Sequence, residues 1–273
     1  MSTPDKLINF AKRPKIAVHK FSSCDGCQLA LINDAVSLLE LATMVDIVHF
    51  AEAGPLDEFA EVDLAIIEGS VNTHHDVHRI EMVRAKAKYV LSVGACALTG
   101  GIQALRNFTD EKELRHWQHD VYPEETEVII EGDLATAKPI SAYVKVDFEL
   151  PGCPSNTGQI LRAIRQILFG VEPEKNVDPV CTTCKHAGVT CVMVAKNEPC
   201  LGPVVADGCD AICPKLGRGC YGCYGPAKYA NMDAMIAKLK EMGLSDEQIK
   251  HKFHHINSQA ITFHGVAART ISQ

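Results

Sequence analysis

The sequence predicts a doubly wound parallel α/β sheet followed by a small, irregular cysteine-rich domain with C-terminal helices. Three observations predict it. Short apolar runs alternate with helix-period segments up to about residue 170. Beyond Gly170 that rhythm gives way to prolines and glycines. The 12 cysteines of the 273-residue chain lie either just after predicted strands or within one short stretch, residues 181–223.

The elements follow in order. Lys15 to Phe21 is a strand candidate, followed by a loop and by a helix from Gln28 to Leu41, where Leu29, Ile32, Val36 and Leu39 recur at helical spacing. Val45 to Phe50 and Leu64 to Ile67 read as further strands, Asp76 to Lys88 as an amphipathic helix, and Tyr89 to Val93 as a buried strand. Tyr143 to Val146 supplies the last strand, before a helix from Thr157 to Phe169. Strands separated by helix-length segments imply a parallel sheet covered on both faces. Residues 103–141 carry a polar run and read as a surface excursion. A domain boundary falls near residue 172, giving domains 1–172 and 173–273. The second domain has too few apolar residues in its cysteine-rich stretch for an ordinary core, so bound groups are expected to hold it. Its tail regains a helical pattern from Ala230 to Met242, Gly243 reads as a stop, and Ser245 to Gln248 resembles a capping box.

Composition narrows the function. A 47% hydrophobic chain of this length buries a substantial core and is not disordered. A formal charge of −7 with no cluster of Lys or Arg argues against nucleic acid as a partner. Met1 to Lys15 has no apolar signal-peptide core, and Tyr89 to Leu105, the longest uncharged stretch, is broken by glycines, so no membrane span is expected. The expected location is cytoplasmic, a reducing compartment in which cysteines serve as thiols or metal ligands.

Four cysteines belong to the first domain: Cys24 and Cys27 in Ser23-Cys-Asp-Gly-Cys27, Cys96 in Gly94-Ala-Cys96, and Cys153 in Pro151-Gly-Cys-Pro154. Each follows a predicted strand, and in a parallel doubly wound sheet such loops emerge at one edge. Residues far apart in sequence thus converge, and Gly26, Gly94, Gly100 and Gly152 permit close backbone approach. Four thiolates around one point suit a 4Fe-4S cluster or a structural zinc. The other eight are Cys181, Cys184, Cys191, Cys200, Cys209, Cys213, Cys220 and Cys223, enough for two four-ligand sites. Paired CxxC motifs also mark zinc ribbons, and spacing alone does not decide between iron-sulfur and zinc.

Read in order, Ser23-Cys-Asp-Gly-Cys-Gln-Leu29, Ile67-Glu-Gly-Ser70, Gly94-Ala-Cys-Ala-Leu-Thr-Gly-Gly101 and Pro151-Gly-Cys-Pro154 resemble the cluster motifs of nickel-iron hydrogenase small subunits. The second half is most similar to the cytosolic branch that couples hydrogen to NAD(P) or sulfur reduction. The resemblance implies a flavodoxin-like first domain and an iron-sulfur second domain. It implies a proximal 4Fe-4S cluster on Cys24, Cys27, Cys96 and Cys153, a distal one on Cys181, Cys184, Cys191 and Cys200, and a medial one on Cys209, Cys213, Cys220 and Cys223. Cys181 stands where periplasmic members have histidine, and Cys213 adds a fourth thiolate to a site that has three there. Three 4Fe-4S clusters and a low-potential relay are therefore expected. The implied partners are a large subunit carrying the nickel-iron centre and a further electron-accepting subunit of flavin or ferredoxin type. Nickel, NAD(P) and flavin are expected outside this chain, which carries no GxGxxG with an acidic ribose ligand. An interleaved sharing of the last eight cysteines stays open.

Several residues admit other readings. Glu68, just after the third strand, could relay protons or order its loop. His74, His75 and His78, and His251, His254 and His255, lie on predicted helices where solvation is the usual fate, and His186 is a substitute ligand if one cysteine drops out. A thioredoxin-like pair at Cys24 and Cys27 leaves Cys96 and Cys153 unexplained. The cluster subunit of a quinone-reducing complex would place two cysteines side by side in place of Cys24 and Cys27. A zinc-stabilised scaffold without redox function is the alternative from another class.

Overall fold

The computed structural model of the chain describes residues 13–54, 56–110 and 133–266, with isolated positions 112, 113, 116 and 120 between them. Of the surface excursion, positions 111, 114, 115, 117–119 and 121–132 lie outside the described residues, and Ala104, Ala137 and Ile140 within it are buried.

Five parallel strands form the main sheet: β1 (Lys15–Lys20), β2 (Asp46–Phe50), β3 (Val62–Glu68), β5 (Ala87–Val93) and β7 (Phe148–Leu150), in the order β2-β1-β3-β5-β7. The chain winds outward one way from β1 to β2 and the other way from β3 to β5 and β7, the doubly wound topology that the sequence predicts. Two short strands, β4 (Val71–Thr73) and β6 (Asp133–Lys138), pair antiparallel beside it. Nothing in the periodicity of the sequence announced that pair.

Alternation along the strands serves two cores. Ile16, Val18, Leu64, Ile66, Leu91 and Val93 face α1 (Gly26–Asn33), α2 (Ala35–Met44) and α5 (Thr157–Leu168). Ala17, Ala65, Ile67 and Val90 face α3 (His74–Lys86) and α4 (Gly94–Thr99). Helix α3 starts at a capping box, Thr73 accepting from the Asp76 N–H while Asp76 accepts from the Thr73 N–H.

Two sequence expectations are corrected here. The helix expected from Gln28 to Leu41 is two helices bent by 87° at Asp34, whose side chain caps α2 by accepting from the Ser37 N–H. Val36 and Leu39, read as recurring at helical spacing, are 80% and 69% exposed, and Leu29 is exposed too. The last strand is not Tyr143 to Val146 but Phe148–Leu150. Tyr143 and Val144 instead donate backbone N–H groups to Ile140 in a tight turn. Among the described residues no single helix is long and apolar enough to cross a membrane.

The cysteine-rich stretch contains three short helices, α6 (Val180–His186), α7 (Val192–Lys196) and α8 (Ile212–Lys215). The tail forms α9 (Met232–Glu241), α10 (Asp246–Asn257) and α11 (Ile261–His264), with the Ser245–Gln248 capping box in place. Contrary to expectation this half does have an apolar core. Val180, Val192, Leu201, Val204 and Val205 pack with Met232, Ile236, Leu239, Phe253 and Phe263. The helical tail supplies the apolar side chains that the cysteine-rich stretch lacks.

Asp147 ties the edge strand to the sheet, accepting from the Val90 N–H at 2.9 Å and from Arg84 at 2.6 Å. Burial raises its pKa, but the Val90 and Arg84 hydrogen bonds with the Arg84 and Lys145 charges outweigh it and hold the group below the usual aspartate value. Replacing it (Asp147→Ala) is expected to lower stability at pH 7 by about 1–3 kcal/mol, seen as a lower urea midpoint. Because the folded pKa is depressed, that difference is complete above the ordinary aspartate pKa and narrows as pH falls through the folded value.

Candidate metal centres

The carboxyl ends of four strands lie level. Lys20 pairs with Glu68, Glu68 with Val93, and Val93 with Leu150. Loops leaving these ends carry Cys24 and Cys27 after β1, Cys96 on α4 after β5, and Cys153 after β7. The Ala95 N–H donates to the Gly152 carbonyl at 2.7 Å and stitches two of these loops together. Burial raises the pKa of Cys27, Cys96 and Cys153, and neighbouring thiols add to it: Cys24 at Cys96 and Cys153, and Cys96 at Cys27. The structure thus brings together the four residues that the sequence assigned to one site.

Gly94 makes the approach possible. It sits at φ +87°, and a Cβ there would lie 2.6 Å from the Cys27 sulfur. Gly101, at φ +63°, stands in the same relation to Cys96. An L-residue at either position meets both backbone strain and a sulfur atom.

Glu68 is buried at the end of β3, and its two oxygens accept the N–H groups of Cys27 at 2.9 Å and Gln28 at 3.2 Å. These are early N–H groups of α1, which have no partner within the helix, so Glu68 caps from another strand the helix that carries Cys27. Of its two readings from sequence, loop ordering is the one with visible contacts.

Burial dominates the thiol chemistry. It pushes Cys27 up to about 12, helped by the Glu68 carboxylate, and Cys96 up to about 11. Cys181 is pushed up to about 11 and Cys223 to about 12 by burial and then by neighbouring cysteines, and burial also raises Cys153, Cys184, Cys213 and Cys220. Such thiols are neutral at pH 7 until a cation displaces their protons, as metal ligands require.

For the other eight cysteines the resemblance implies two sets. Cys181 is influenced by Cys184, Cys191 and Cys200, and Cys223 by Cys209 and Cys213. Cys220 is influenced by Cys200 first and then by Cys223 and Cys209, and Cys213 by Cys209 and Cys200, so Cys200 acts on members of both sets. The sets touch: the Cys220 N–H donates to the Cys200 sulfur at 3.1 Å, and the Gly202 N–H reaches the same sulfur at 3.4 Å. On the other side, Cys153 is among the thiols that raise the pKa of Cys223, after burial and Cys209. Cys153, Cys209, Cys213 and Cys223 line one cavity of about 440 Å³ with Tyr221 and Tyr224.

Some residues near the thiols gave no signal in the sequence. Ser155, which lowers the pKa of the Cys27 thiol against the larger effect of burial, donates its hydroxyl to the Pro151 carbonyl at 2.9 Å. Gln103 accepts from the Cys96 thiol at 3.5 Å and donates to the Ser22 carbonyl at 2.7 Å. The Tyr224 hydroxyl accepts from the Asn156 N–H at 3.0 Å. None belongs to a motif. Among the helix histidines, His74, His75 and His255 are exposed, whereas His254 is buried against Phe108 with its Nε2 3.2 Å from the Phe263 carbonyl.

Comparison with known proteins shows the family. The family model described as NADH ubiquinone oxidoreductase, 20 Kd subunit, matches residues 24–167, which contain the first four cysteines. Sulfhydrogenase 2 subunit delta of Pyrococcus furiosus is 34% identical over 238 residues, covering 87% of this chain and 97% of that protein. The chain belongs to the nickel-iron hydrogenase small-subunit family. A vhu-type F420-non-reducing hydrogenase subunit of Methanocaldococcus jannaschii is 30% identical, over 77% of this chain and 81% of that one. Among solved structures, an NAD+-reducing [NiFe]-hydrogenase in the H2-reduced state superposes with a TM-score of 0.53 at 28% identity, covering 60% of this chain and 96% of the other. The [NiFeSe] hydrogenase of Desulfovibrio vulgaris Hildenborough, at 19% identity and a TM-score of 0.52, shares the fold over 81% of this small-subunit chain and 96% of its own.

Two substitutions test the first thiol set. Gly94→Ala is expected to abolish the electron paramagnetic resonance signal of that site and lower iron content by about four atoms per chain, the content of one four-iron cluster. Glu68→Gln is expected to lower the urea midpoint, by about 1–3 kcal/mol for the lost charge-assisted bonds. A fall in hydrogen turnover with midpoint and iron content unchanged would instead assign Glu68 to proton transfer.

Proposed function

We propose that this subunit is the electron conduit of a cytoplasmic nickel-iron hydrogenase and holds three 4Fe-4S clusters on its twelve cysteines. The observation that carries the reading is the linear contact between thiol quartets. The first set meets the second in the cavity that Cys153 shares with Cys209, Cys213 and Cys223, and the second meets the third where the Cys220 N–H reaches Cys200. That order supports a proximal place for Cys24, Cys27, Cys96 and Cys153, a medial one for Cys209, Cys213, Cys220 and Cys223, and a distal one for Cys181, Cys184, Cys191 and Cys200. Bound clusters supply one-electron transfer. The chain's own contribution is to hold them in line, exclude water through the buried sulfurs, and donate N–H groups to sulfur, as Cys220 and Gly202 do at Cys200.

Sulfur spacing supports clusters over zinc. A tetrahedral zinc with Zn–S near 2.3 Å needs its sulfurs within about 3.8 Å of one another. Among the described residues, which include all twelve cysteines, the one group of three or more metal-ligating side chains with all ligand atoms within 4.8 Å contains no cysteine. Four-thiolate ligation at every site favours the oxidised clusters and a low potential, suited to a flavin or ferredoxin-type acceptor subunit. The exposed Leu29, Val36 and Leu39, on the helices that follow Cys24, support docking of the large subunit beside the proximal site. The boundary near residue 172 completes the proposal, with the sheet holding the proximal cluster and the cysteine-rich half the other two.

Metal analysis of the complex purified without oxygen is the direct test. Nickel with at least about 12 iron atoms per copy of this chain is the expected result. Zinc with little iron would mean a structural protein, and iron without nickel a different electron-transfer complex. The isolated chain is expected to turn over no hydrogen. Cys213→Ala is expected to convert the medial site to a three-iron cluster, losing about one iron per chain and gaining a paramagnetic signal in the oxidised state.

A further inference from the structure

The cysteine-free group lies elsewhere in the fold. His19 projects from β1 and His49 from the neighbouring edge strand β2, with ring centroids 4.8 Å apart and planes 28° from parallel. After β2 the chain folds back: Leu56 bridges His49, and the Asp57 N–H donates to the Val48 carbonyl at 3.3 Å. That return brings Glu58 over the two rings. One ligand atom from each of His19, His49 and Glu58 lies within 4.8 Å of the others.

The two imidazoles are 1% and 5% exposed, and His19 Nδ1, His49 Nδ1 and His49 Nε2 have no hydrogen-bond partner. An imidazole always carries at least one strong acceptor or donor, and each buried one left unpaired costs about 1–3 kcal/mol. Three such atoms on two touching rings, with a carboxylate beside them, are not an arrangement that side-chain packing rewards. Its charged surroundings are Asp57, beside Glu58 on the loop, and Arg79 from α3. Arg79 donates from Nε to Glu58 Oε1 and stacks 4.5 Å over Phe21. A carboxylate that accepts a guanidinium on one oxygen still has the other for a cation, and hydrogen-bonded carboxylates are common among metal ligands.

We propose that His19, His49 and Glu58 form a divalent metal site of zinc type, separate from the thiol quartets, that pins the loop after β2 to the edge of the sheet. Two neutral imidazole nitrogens and one carboxylate oxygen are a donor set that zinc accepts readily, with a fourth position for water. A hard ion such as magnesium would prefer oxygen ligands. The ion satisfies the unpaired ring nitrogens and closes the loop over an otherwise open strand edge.

The test uses the intact hydrogenase complex, stripped of loosely held metal by dialysis against a chelator and then given zinc sulfate. The expected result is one retained zinc per copy of this chain after gel filtration. Its X-ray absorption edge should report nitrogen and oxygen neighbours near 2.0–2.1 Å. His49→Gln and Glu58→Gln should each weaken retention at least about tenfold with iron content unchanged. Glu58 is on a partly exposed loop, so its replacement leaves the buried sheet intact even if the His49 variant misfolds. No retained zinc, sulfur neighbours near 2.3 Å, or variants that retain zinc as the parent does would each overturn the proposal.

Discussion

Four sulfurs from three separate loops must meet beyond one edge of the sheet, and the rest of the molecule is arranged around that requirement. It is met because β1, β3, β5 and β7 end at the same level, so that loops leaving them start from a common line. The doubly wound topology puts β1 beside β3, where the winding direction reverses and a crevice opens at the carboxyl ends. Glu68 closes the base of that crevice. By taking the free N–H groups of α1 it fixes the helix bearing Cys27 against β3, and it does so from a strand that contributes no thiol.

Burying these thiols has a consequence for stability. Burial and mutual repulsion both oppose their ionisation, so the apo arrangement is favourable only while the sulfurs stay protonated. A bound cation reverses this, since coordination deprotonates the thiols and the attraction replaces the repulsion. Wherever these thiols hold a metal, loading and local order are therefore coupled. The second half does not depend on that coupling alone, because α9, α10 and α11 bring an ordinary apolar core under the cysteine-rich stretch.

Glycine sets the tolerance of the first site. Gly94 and Gly101 place bare backbone against Cys27 and Cys96, leaving room for sulfur where a methyl group would sit. The same economy shows at Cys200, whose sulfur takes N–H groups from both Cys220 and Gly202 and so lies where two thiol sets meet.

The strands and the cysteines were legible in the sequence for a simple reason. Both are local: apolar runs of strand length mark the sheet, and a cysteine after a strand end reaches the carboxyl edge whatever else the chain does. Less was legible where contacts between distant segments decide. The bend at Asp34 turned Val36 and Leu39, read as recurring at helical spacing, outward, because an aspartate cap outcompeted continuation of one helix. The last strand moved from Tyr143–Val146 to Phe148–Leu150, because pairing with β5 and the Asp147 anchor, not apolar content, fix where it starts. Glu68 could be placed by its strand but not by its partners. His19 and His49 passed unremarked, since two histidines thirty residues apart carry no spacing signal until neighbouring strands set them side by side. The sequence by itself determined the ligand types and the edge of the sheet to which they go. Only the tertiary structure decided which sulfurs are neighbours, which carboxylate caps which helix and which rings stack, because those depend on strand register and loop return, which no local pattern encodes.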